Sequence, residues 1–317
     1  MHLTPLLRAA LGLLLLWAAL AHGADAPAEA APPAALAMTE IAPGVWVYQG
    51  VQEELTPANR GGIANVGFVI GKRCVAVIDT GGSLGFGLSL RAAVRQRTQR
   101  PICHVINTHM HPDHVLGNAA FKAPGVAFVG HAKLRAALAN RADTYLRNAE
   151  REMGTSATGS EIILPDVSVP GEQRLDLGGR TLVLRARPTA HTDNDLSVFD
   201  EASGTLWLGD LLFVGRIPAI DGNLKGWLAL CRELRALQPR HIVPGHGAWT
   251  GAWPQAIDTQ IAYLEAVERE VRGAIKAGKT LAETLDSTPN PQQSQWLLYP
   301  FFHRRNLTAA YAELEWE

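Results

Sequence analysis

Four side chains that could bind a metal ion lie within six consecutive residues of this chain: His109, Met110, His111, Pro112, Asp113 and His114. They follow a largely apolar run, 101–108, that is typical of a buried strand. Imidazole is the commonest metal ligand in proteins, and carboxylates are ligands too. Four ligands this close cannot all reach one ion without strain. The spacing therefore predicts that His109 and His111 bind one metal ion while Asp113 and His114 turn toward a second, the alternative being a solvated histidine-rich loop.

Three more potential ligands each follow a short apolar run that is typical of a strand: His191, Asp210 and His246. Taken singly, a histidine at a strand end is as readily a hydrogen-bonded structural residue. Together with the six-residue loop, these three residues would provide ligands for two metal ions. One ion would be bound by His109, His111 and His191, and the other by Asp113, His114 and His246. Asp210 would bridge both ions. Every donor is nitrogen or oxygen, which suits two zinc ions and also iron or manganese.

The segments that must position these ligands alternate between strand and helix patterns, which predicts an α/β protein with mixed or parallel sheets and helices outside. The predicted strands are 45–49, 63–70, 75–78, 102–107, 126–129, 181–187, 196–199, 206–208 and 241–243, and 161–177 is strand-like with Pro and Gly breaks. The predicted helices are 88–99, 133–151, 224–237, 254–277 and 305–315. No Gly/Ser-rich linker divides residues 39–317, which predicts one domain. A net charge of −1 with 47% hydrophobic residues gives no sign of a nucleic-acid partner.

The N-terminus reads as a secretory signal over residues 1–23. Arg8 precedes an apolar stretch over 9–21, and Ala21 and Gly23 are small residues at a cleavage site. The alternative is an uncleaved membrane anchor, but a spanning helix needs ~20 apolar residues and this stretch is shorter. Residues 24–38 are rich in Ala and Pro and predict a linker with little to pack. Export with no membrane segment after cleavage is therefore expected.

Three cysteines matter in an exported protein, because disulfides persist in oxidising compartments. Cys74 and Cys103 would occupy similar heights in two predicted strands if those strands are neighbours, which makes a disulfide one interpretation. Cross-strand disulfide geometry is restrictive, and two buried free thiols are the favoured interpretation. Cys231 lies within a helical pattern and is predicted to be a core residue.

Two regions offer candidate contacts to a substrate. Asn194, with its neighbours Asp193 and Asp195, could fix the second nitrogen of His191 or line a pocket, and an Asx-rich turn is the alternative. Arg216 and Lys225 follow Asp210 and could meet an anionic substrate, although charges on such loops are usually solvated. Residues 303–305, His-Arg-Arg, are expected at the surface.

The order HxHxDH, His, Asp, His, each after a strand, resembles the metallo-β-lactamase fold superfamily, over Val45 through the last helix. The resemblance implies an αββα sandwich of two mixed β-sheets with helices on the outer faces, and a dinuclear site at one edge. Asp79, in VIDTG, matches the superfamily's first motif, where an Asp orients the metal loop without binding metal. Asp210 stands where the glyoxalase II type keeps a bridging carboxylate, whereas one β-lactamase class has Cys there.

Longer phrases resemble one exported subgroup, the quinoprotein relay system zinc metallohydrolases, which are relatives of an accessory protein found with sulfur-oxidation genes. The phrases are NVGFVIGKRCVAVIDTGGS, INTHMHPDHVLGNAAF, PTAHTDNDLSVFD and LWLGDLLFVGRIPAIDG. This resemblance implies a periplasmic location and a partnership with a PQQ-dependent quinoprotein dehydrogenase or its cytochrome.

Together these features predict an exported dinuclear zinc metallohydrolase that uses a metal-bridging hydroxide on a small ester, thioester or amide-like substrate. Asp113 is expected to orient the nucleophile and to pass its proton to the leaving group. Three alternatives stay open: an iron-dependent persulfide dioxygenase, a β-lactamase, and a non-catalytic metal-stabilised accessory protein. The sequence does not separate the dioxygenase from the zinc hydrolase, because His and Asp ligands suit iron as well as zinc.

Overall fold

The structure is a computed structural model that describes residues 34–286 and 295–317. The predicted signal peptide, 1–23, and residues 24–33 of the predicted linker lie outside the described residues. The end of that linker is packed, because Leu36 is buried and its backbone N–H donates to the carbonyl of Ser89 at 3.2 Å. The packed chain therefore begins before the predicted boundary at Thr39. Within the described ranges, no helix has the length and apolar character needed to cross a membrane.

The first sheet has seven strands that lie side by side in chain order. The first four strands pair antiparallel, and the fourth to seventh pair parallel, so the sheet is mixed as predicted. Its strands are β1 (Thr39–Ala42), β2 (Val45–Tyr48), β3 (Val66–Ile70), β4 (Val75–Ile78), β5 (Ile102–Ile106), β6 (Ala127–His131) and β7 (Val167–Val169).

The second sheet has five strands, in the order β12-β11-β10-β9-β8, and its only parallel pair among the described strands is β11 with β12. Its strands are β8 (Glu172–Asp176), β9 (Thr181–Ala186), β10 (Leu196–Asp200), β11 (Thr205–Phe213) and β12 (His241–His246).

The helices begin and end close to where the sequence places them, with two exceptions at their N-termini. The first helix begins at Leu84, four residues before the predicted start, because the hydroxyl of Ser83 accepts from the Phe86 N–H and caps it. The last helix begins at Tyr299, six residues before the predicted start. The helices are α1 (Leu84–Arg97), α2 (Pro112–Val115), α3 (Leu134–Met153), α4 (Leu224–Arg235), α5 (Gln255–Lys276), α6 (Leu281–Leu285) and α7 (Tyr299–Leu314).

Three buried clusters define the layers of the fold. Between the sheets, side chains such as Val69 and Ile78 of the first sheet pack with Leu184 and Trp207 of the second. The outer face of the first sheet packs on α1, and the outer face of the second packs on α4, α5 and α7. The strands β3, β4 and β11 bury both faces in this way, which is why they read as nearly continuous apolar runs. The predicted αββα sandwich of two mixed sheets is confirmed.

Cys74 and Cys103 form a disulfide, with their Cα atoms 5.8 Å apart. The favoured interpretation of two free thiols is therefore wrong. The reason is the pairing of β4 with β5, which shifts register between Val75 and Ala76 and so brings Cys103 beside Cys74. Cys231 is a free, buried cysteine, as predicted.

His303 is also placed differently from the prediction. Because α7 begins at Tyr299, His303 lies in its second turn and faces the protein interior. Its Nδ1 lies 3.1 Å from the hydroxyl of Tyr263 on α5. Arg304 and Arg305 are both exposed, as expected, and Arg305 also lines the cavity described below.

Candidate metal centre

The seven predicted ligands come together at one edge of the sandwich, in two groups. The loop after β5 and the short helix α2 supply four of them, because this segment turns sharply at the end of a buried strand. Within each group the candidate donor atoms all lie within 4.8 Å of one another. The groups are His109, His111, His191 and Asp210, and then Asp113, His114 and His246.

The first group contains three imidazoles whose ring nitrogens converge. Nδ1 of His111 lies 3.1 Å from Nε2 of His109 and 3.0 Å from Nε2 of His191. His109 and His191 are fully buried, and burial is the main cause that lowers their pKa, to about 4 for His191. Neutral imidazole is the form that binds a metal ion, so this group is prepared for one.

The second group joins a carboxylate to two imidazoles. Oδ2 of Asp113 lies 3.3 Å from Nε2 of His246 and 3.7 Å from Nε2 of His114. Burial alone would raise the pKa of Asp113, but the charges of His114 and His246 outweigh it and lower that pKa well below its usual value. Asp113 is therefore an ionised carboxylate and an acceptor.

Asp210 lies between the two groups and approaches members of both. Its Oδ1 is 3.1 Å from Nε2 of His114, and its Oδ2 is 3.4 Å from Nε2 of both His191 and His246. One carboxylate thus connects the two donor sets, which is the position that the sequence assigned to it.

Two glycines allow Asp210 to reach this position. Asp210 lies inside β11 and not after its end, because the strand runs on to Phe213 through a register shift around Gly209. Gly209 has a φ of +51°, and an added Cβ would meet Thr108 of the metal loop at 2.6 Å. A Cβ on Gly245, in the neighbouring strand β12, would lie 1.9 Å from Oδ1 of Asp210. Any larger residue at either position would displace the carboxylate.

The converging atoms fit a pair of divalent cations. Nε2 of His114 and Oδ1 of Asp210 are buried and face each other at 3.1 Å, but neither has a hydrogen bond of good geometry to any group in the described residues. A buried polar atom without a partner is costly, and a cation between the donors removes that cost for both. Nitrogen and carboxylate donors of this kind suit zinc and also iron or manganese.

Each of the five histidines is held from behind through its other ring nitrogen, which fixes the tautomer and the ring orientation. The acceptors lie at 2.7–3.0 Å, and are Thr108 Oγ1 for His109, Asp221 Oδ2 for His111, Asp79 Oδ2 for His114, the Ala219 carbonyl for His191 and the Ile63 carbonyl for His246. Asp221 and the two carbonyls were not predicted, because nothing in their local sequence signals a contact with a distant histidine.

Asp79 lies behind the metal loop, where the resemblance placed it. Its Oδ1 accepts from the Thr108 N–H at 2.8 Å, and its Oδ2 accepts from the Thr108 hydroxyl at 2.7 Å and faces His114 Nδ1 at 2.8 Å. The residue adopts a φ of +54°, an uncommon conformation for a residue other than glycine. The turn after β4 thus directs its carboxylate into the metal loop.

The pKa directions of the remaining ligands follow from these contacts. Burial opposes the protonation of His114, but the carboxylates of Asp210, Asp79 and Asp113 raise its pKa well above the usual value. Burial alone would raise the pKa of Asp210, but the charges of the surrounding histidines lower that pKa well below the usual value. In the metal-free protein the protonated His114 is thus a positive charge beside these carboxylates, and a pair of divalent cations would take its place.

The metal centre forms the floor of an open cavity of about 370 Å³. Its walls combine apolar side chains with charged ones, and Asp113, Asp210 and three of the histidines line it. The other lining residues are Glu54, Leu55, Ile63, Pro112, Arg141, Tyr145, Glu152, Phe213, Arg216, Ile217, Ala219, Ile220, Asp221, Phe302, Arg305 and Asn306.

Arg216 lines this cavity, whereas the other predicted substrate contacts do not. Asn194 is fully buried in the turn before β10, where its N–H donates to the Thr192 hydroxyl. Asp195 accepts from the N–H and the hydroxyl of Thr192, so the segment forms the Asx-rich turn before a strand that was the alternative. The prediction of a substrate contact for Asn194 is corrected, and so is that for Lys225, which pairs with Glu317.

Comparisons with known proteins agree with this geometry. The family model described as the metallo-beta-lactamase superfamily matches residues 59–246, a span that contains all seven predicted ligands. No curated protein sequence matches the chain.

Solved structures share the fold at low sequence identity. A metallo-beta-lactamase from Pontibacter korlensis is 20% identical, with a TM-score of 0.58 over 72% of this chain and 98% of its own. TMB-1 is 19% identical, with a TM-score of 0.56 over 73% and 98%. The inverting sec-alkylsulfatase Pisa1 from Pseudomonas sp. is 15% identical, with a TM-score of 0.66 over 87% of this chain and 50% of its own. From the family match, the fold and the clustered His and Asp donors, the chain belongs to the metallo-beta-lactamase superfamily.

Proposed function

We propose that this protein is an exported hydrolase that holds two zinc ions and cleaves an ester, thioester or amide-like bond in a small substrate. One observation carries the proposal: the carboxylate of Asp210 is shared by two groups of converging donors on the floor of an open cavity. A site of this kind accepts both a pair of metal ions and a substrate. Metallo-beta-lactamase superfamily members, including β-lactamases and a sulfatase, are metal-dependent hydrolases.

The donors divide into two sets for the two ions. His109, His111 and His191 would hold one ion, Asp113, His114 and His246 the other, and Asp210 both. When bound, two divalent ions lower the pKa of water and polarise an electrophilic carbonyl or similar centre. The choice of zinc rests on the nitrogen and oxygen donors and on the resemblance to zinc metallohydrolases.

The side chain of Asp113 is placed to move a proton. It lines the cavity, and its Oδ2 lies 3.3 Å from Nε2 of His246 among the donors of the second group. We assign to its carboxylate the acceptance of a proton from the attacking water and its return to the leaving group. The apolar walls beside it, including Leu55, Phe213 and Ile217, displace water from the substrate.

Export to the periplasm is supported by two independent features. The first is the signal-like segment 1–23 with its apolar stretch. The second is the Cys74–Cys103 disulfide, since such bonds persist in oxidising compartments and are rare in the cytosol. The role as an accessory of a periplasmic quinoprotein dehydrogenase or its cytochrome rests on the resemblance of four long phrases to one exported subgroup.

The deciding experiment is elemental analysis of protein purified from the periplasm without added metal, followed by ester, thioester and lactam panels. Close to two zinc ions per chain, with hydrolysis of the ester or the thioester panel, supports the proposal. About one iron per chain, with oxygen consumption on a persulfide, overturns it in favour of a sulfur dioxygenase, which the same donors would serve. Hydrolysis confined to the lactam panel would show a β-lactamase. Two zinc ions with no turnover on any panel would favour a metal-stabilised accessory protein.

A further inference from the structure

Two guanidinium groups on the wall of the metal-centre cavity lie outside ion-pair distance of every carboxylate that the structure describes. Arg141 on α3 and Arg305 on α7 both line the cavity and both are exposed. Over residues 34–286 and 295–317, neither side chain forms an ion pair. Many other arginines of the second sheet and its helices are paired, for example Arg180 with Asp200 at 2.6 Å and Arg232 with Glu265 at 2.9 Å.

The carboxylates that line the same cavity are all engaged elsewhere. Glu54 pairs with Arg216 at 3.3 Å, and Glu152 pairs with Arg151 at 3.0 Å. Asp221 lies 2.9 Å from His111 Nε2. Asp113 and Asp210, the other two, belong to the metal donors. Arg141 acts on Asp221, and Arg305 on Glu54, only through longer-range attraction, so both guanidiniums keep their N–H groups for an anion that enters the cavity.

Aromatic stacking restricts one of these guanidiniums. The guanidinium of Arg305 lies 5.5 Å from the ring centroid of Phe302, and that of Arg216 lies 5.6 Å from the same centroid. The Phe302 ring is buried, so it is a fixed surface for both cations. A stacked guanidinium keeps its N–H edge free, and that edge matches the two oxygens of a carboxylate.

We propose that the substrate is an amphiphilic anion, whose carboxylate group is held by Arg141 and Arg305 while its scissile bond lies over the metal centre. This inference rests on the proposed hydrolase function and names the substrate class for the same cavity. The apolar part of the substrate packs against the side chains between the two ends, such as Leu55 and Ile217. Arg141 and Arg305 are then specificity-determining residues.

The test compares two thiols that differ only in charge, 2-benzyl-3-sulfanylpropanoic acid and its primary amide, on zinc-loaded protein. The thiol binds zinc in both compounds, so the difference in Kd measured by calorimetry reports the charged group. We expect the acid to bind about tenfold more tightly than the amide, and each of Arg141→Ala and Arg305→Ala to reduce that ratio about threefold. The double variant is expected to bind both compounds alike.

Matched control variants come from the same two helices. Arg147→Ala on α3 and Arg304→Ala on α7 remove guanidiniums that do not line the cavity, and they should leave the acid-to-amide ratio unchanged. Equal binding of the two thiols by the wild type, or a ratio that survives in the double variant, overturns this inference whatever the hydrolytic activity. If the wild type keeps the expected acid-to-amide ratio but hydrolyses no substrate, the proposed hydrolase function is rejected while this inference stands. Failure to take up zinc overturns both.

Discussion

Oδ2 of Asp79 lies 2.8 Å from Nδ1 of His114, so the carboxylate holds the imidazole from behind while Nε2 faces the other donors. Both side chains are almost fully buried. The contact requires a proton on Nδ1 and therefore leaves Nε2 free to bind metal. The relationship links the turn after β4 directly to the tautomer of a metal ligand.

Asp79→Asn should weaken the binding of the second metal ion. The amide oxygen can replace Oδ1 toward the Thr108 N–H, but the amide nitrogen then faces His114 Nδ1 and favours the tautomer with a proton on Nε2. We expect a loss of about 10- to 100-fold in zinc affinity at one of two sites, measured by chelator competition. Asp176→Asn, at an exposed carboxylate of β8, is the control. Unchanged affinity would contradict the assigned role of Asp79.

Removing the shared carboxylate should affect both metal positions at once. Asp210→Ala and His111→Ala are each expected to abolish full metal occupancy and turnover, with Asp210→Ala having the larger effect on occupancy because it borders both donor groups. Metal content is measured by elemental analysis, and folding by circular dichroism. Asp193→Ala removes a nearby exposed carboxylate and should retain both ions. A variant that is active without metal would refute the assignment of the site.

Asp221 should matter less than Asp79, because its side chain is 48% exposed and its contact with His111 competes with water. We expect Asp221→Ala to weaken zinc binding by about tenfold or less. Asp221→Asn should lose less still, because the amide oxygen can accept from the His111 Nε2–H in place of the carboxylate. The two affinities are compared by the same chelator competition. If Asp221→Ala lowers zinc affinity as much as Asp79→Asn does, the exposure of Asp221 does not determine the strength of its contact with His111.

The parts of the fold and site that could be predicted are those recorded in short stretches of sequence. The ligands from His109 to His114 are nearly contiguous, and each apolar run shows where its strand ends, so the candidate donors and the α/β class follow from local patterns. The αββα layering followed from the resemblance to the superfamily. Asp221 and the carbonyls of Ala219 and Ile63 reach distant histidines through tertiary contacts that leave no local signal.

The errors have the same origin. The pairing of Cys74 with Cys103 depends on a register shift between β4 and β5, and strand spacing alone does not encode it. His303 is buried because α7 starts at Tyr299, and its Pro300 is compatible with the first turn of a helix although prolines often end helices. The residue types around Asn194 suit a substrate contact and an Asx-rich turn equally well, so the local sequence does not distinguish the two.

The disulfide should contribute substantially to stability. It closes a loop with a sequence separation of 29 residues, for which the reduction of unfolded-state entropy is worth about 2–4 kcal/mol. Urea unfolding of the double variant Cys74→Ser/Cys103→Ser should show a loss of this size, and a reductant should lower the stability of the wild type to a similar value. Cys231→Ala, at the free cysteine, should leave the effect of the reductant intact. If the stability of the wild type is unchanged when its disulfide is fully reduced, the prediction is contradicted.

Asp195 should make the stability of the metal-free protein fall as pH rises. Burial raises its pKa to about 7, from a usual value near 3.8, despite the hydrogen bonds from Thr192. A raised carboxyl pKa gives stability that is fully present below the unfolded-state pKa and is lost as pH rises through the folded-state pKa.

Asp195→Asn keeps a neutral acceptor for Thr192 and removes this titration. We therefore expect the variant to gain stability relative to the wild type by about 1 kcal/mol per pH unit between pH 5 and pH 7. The measurement is the free energy of unfolding by urea at four pH values with a chelator present. Asp193→Asn, at the exposed neighbouring carboxylate, should show no such trend. A stability difference that stays constant with pH would mean that Asp195 is ionised in the folded protein throughout this range.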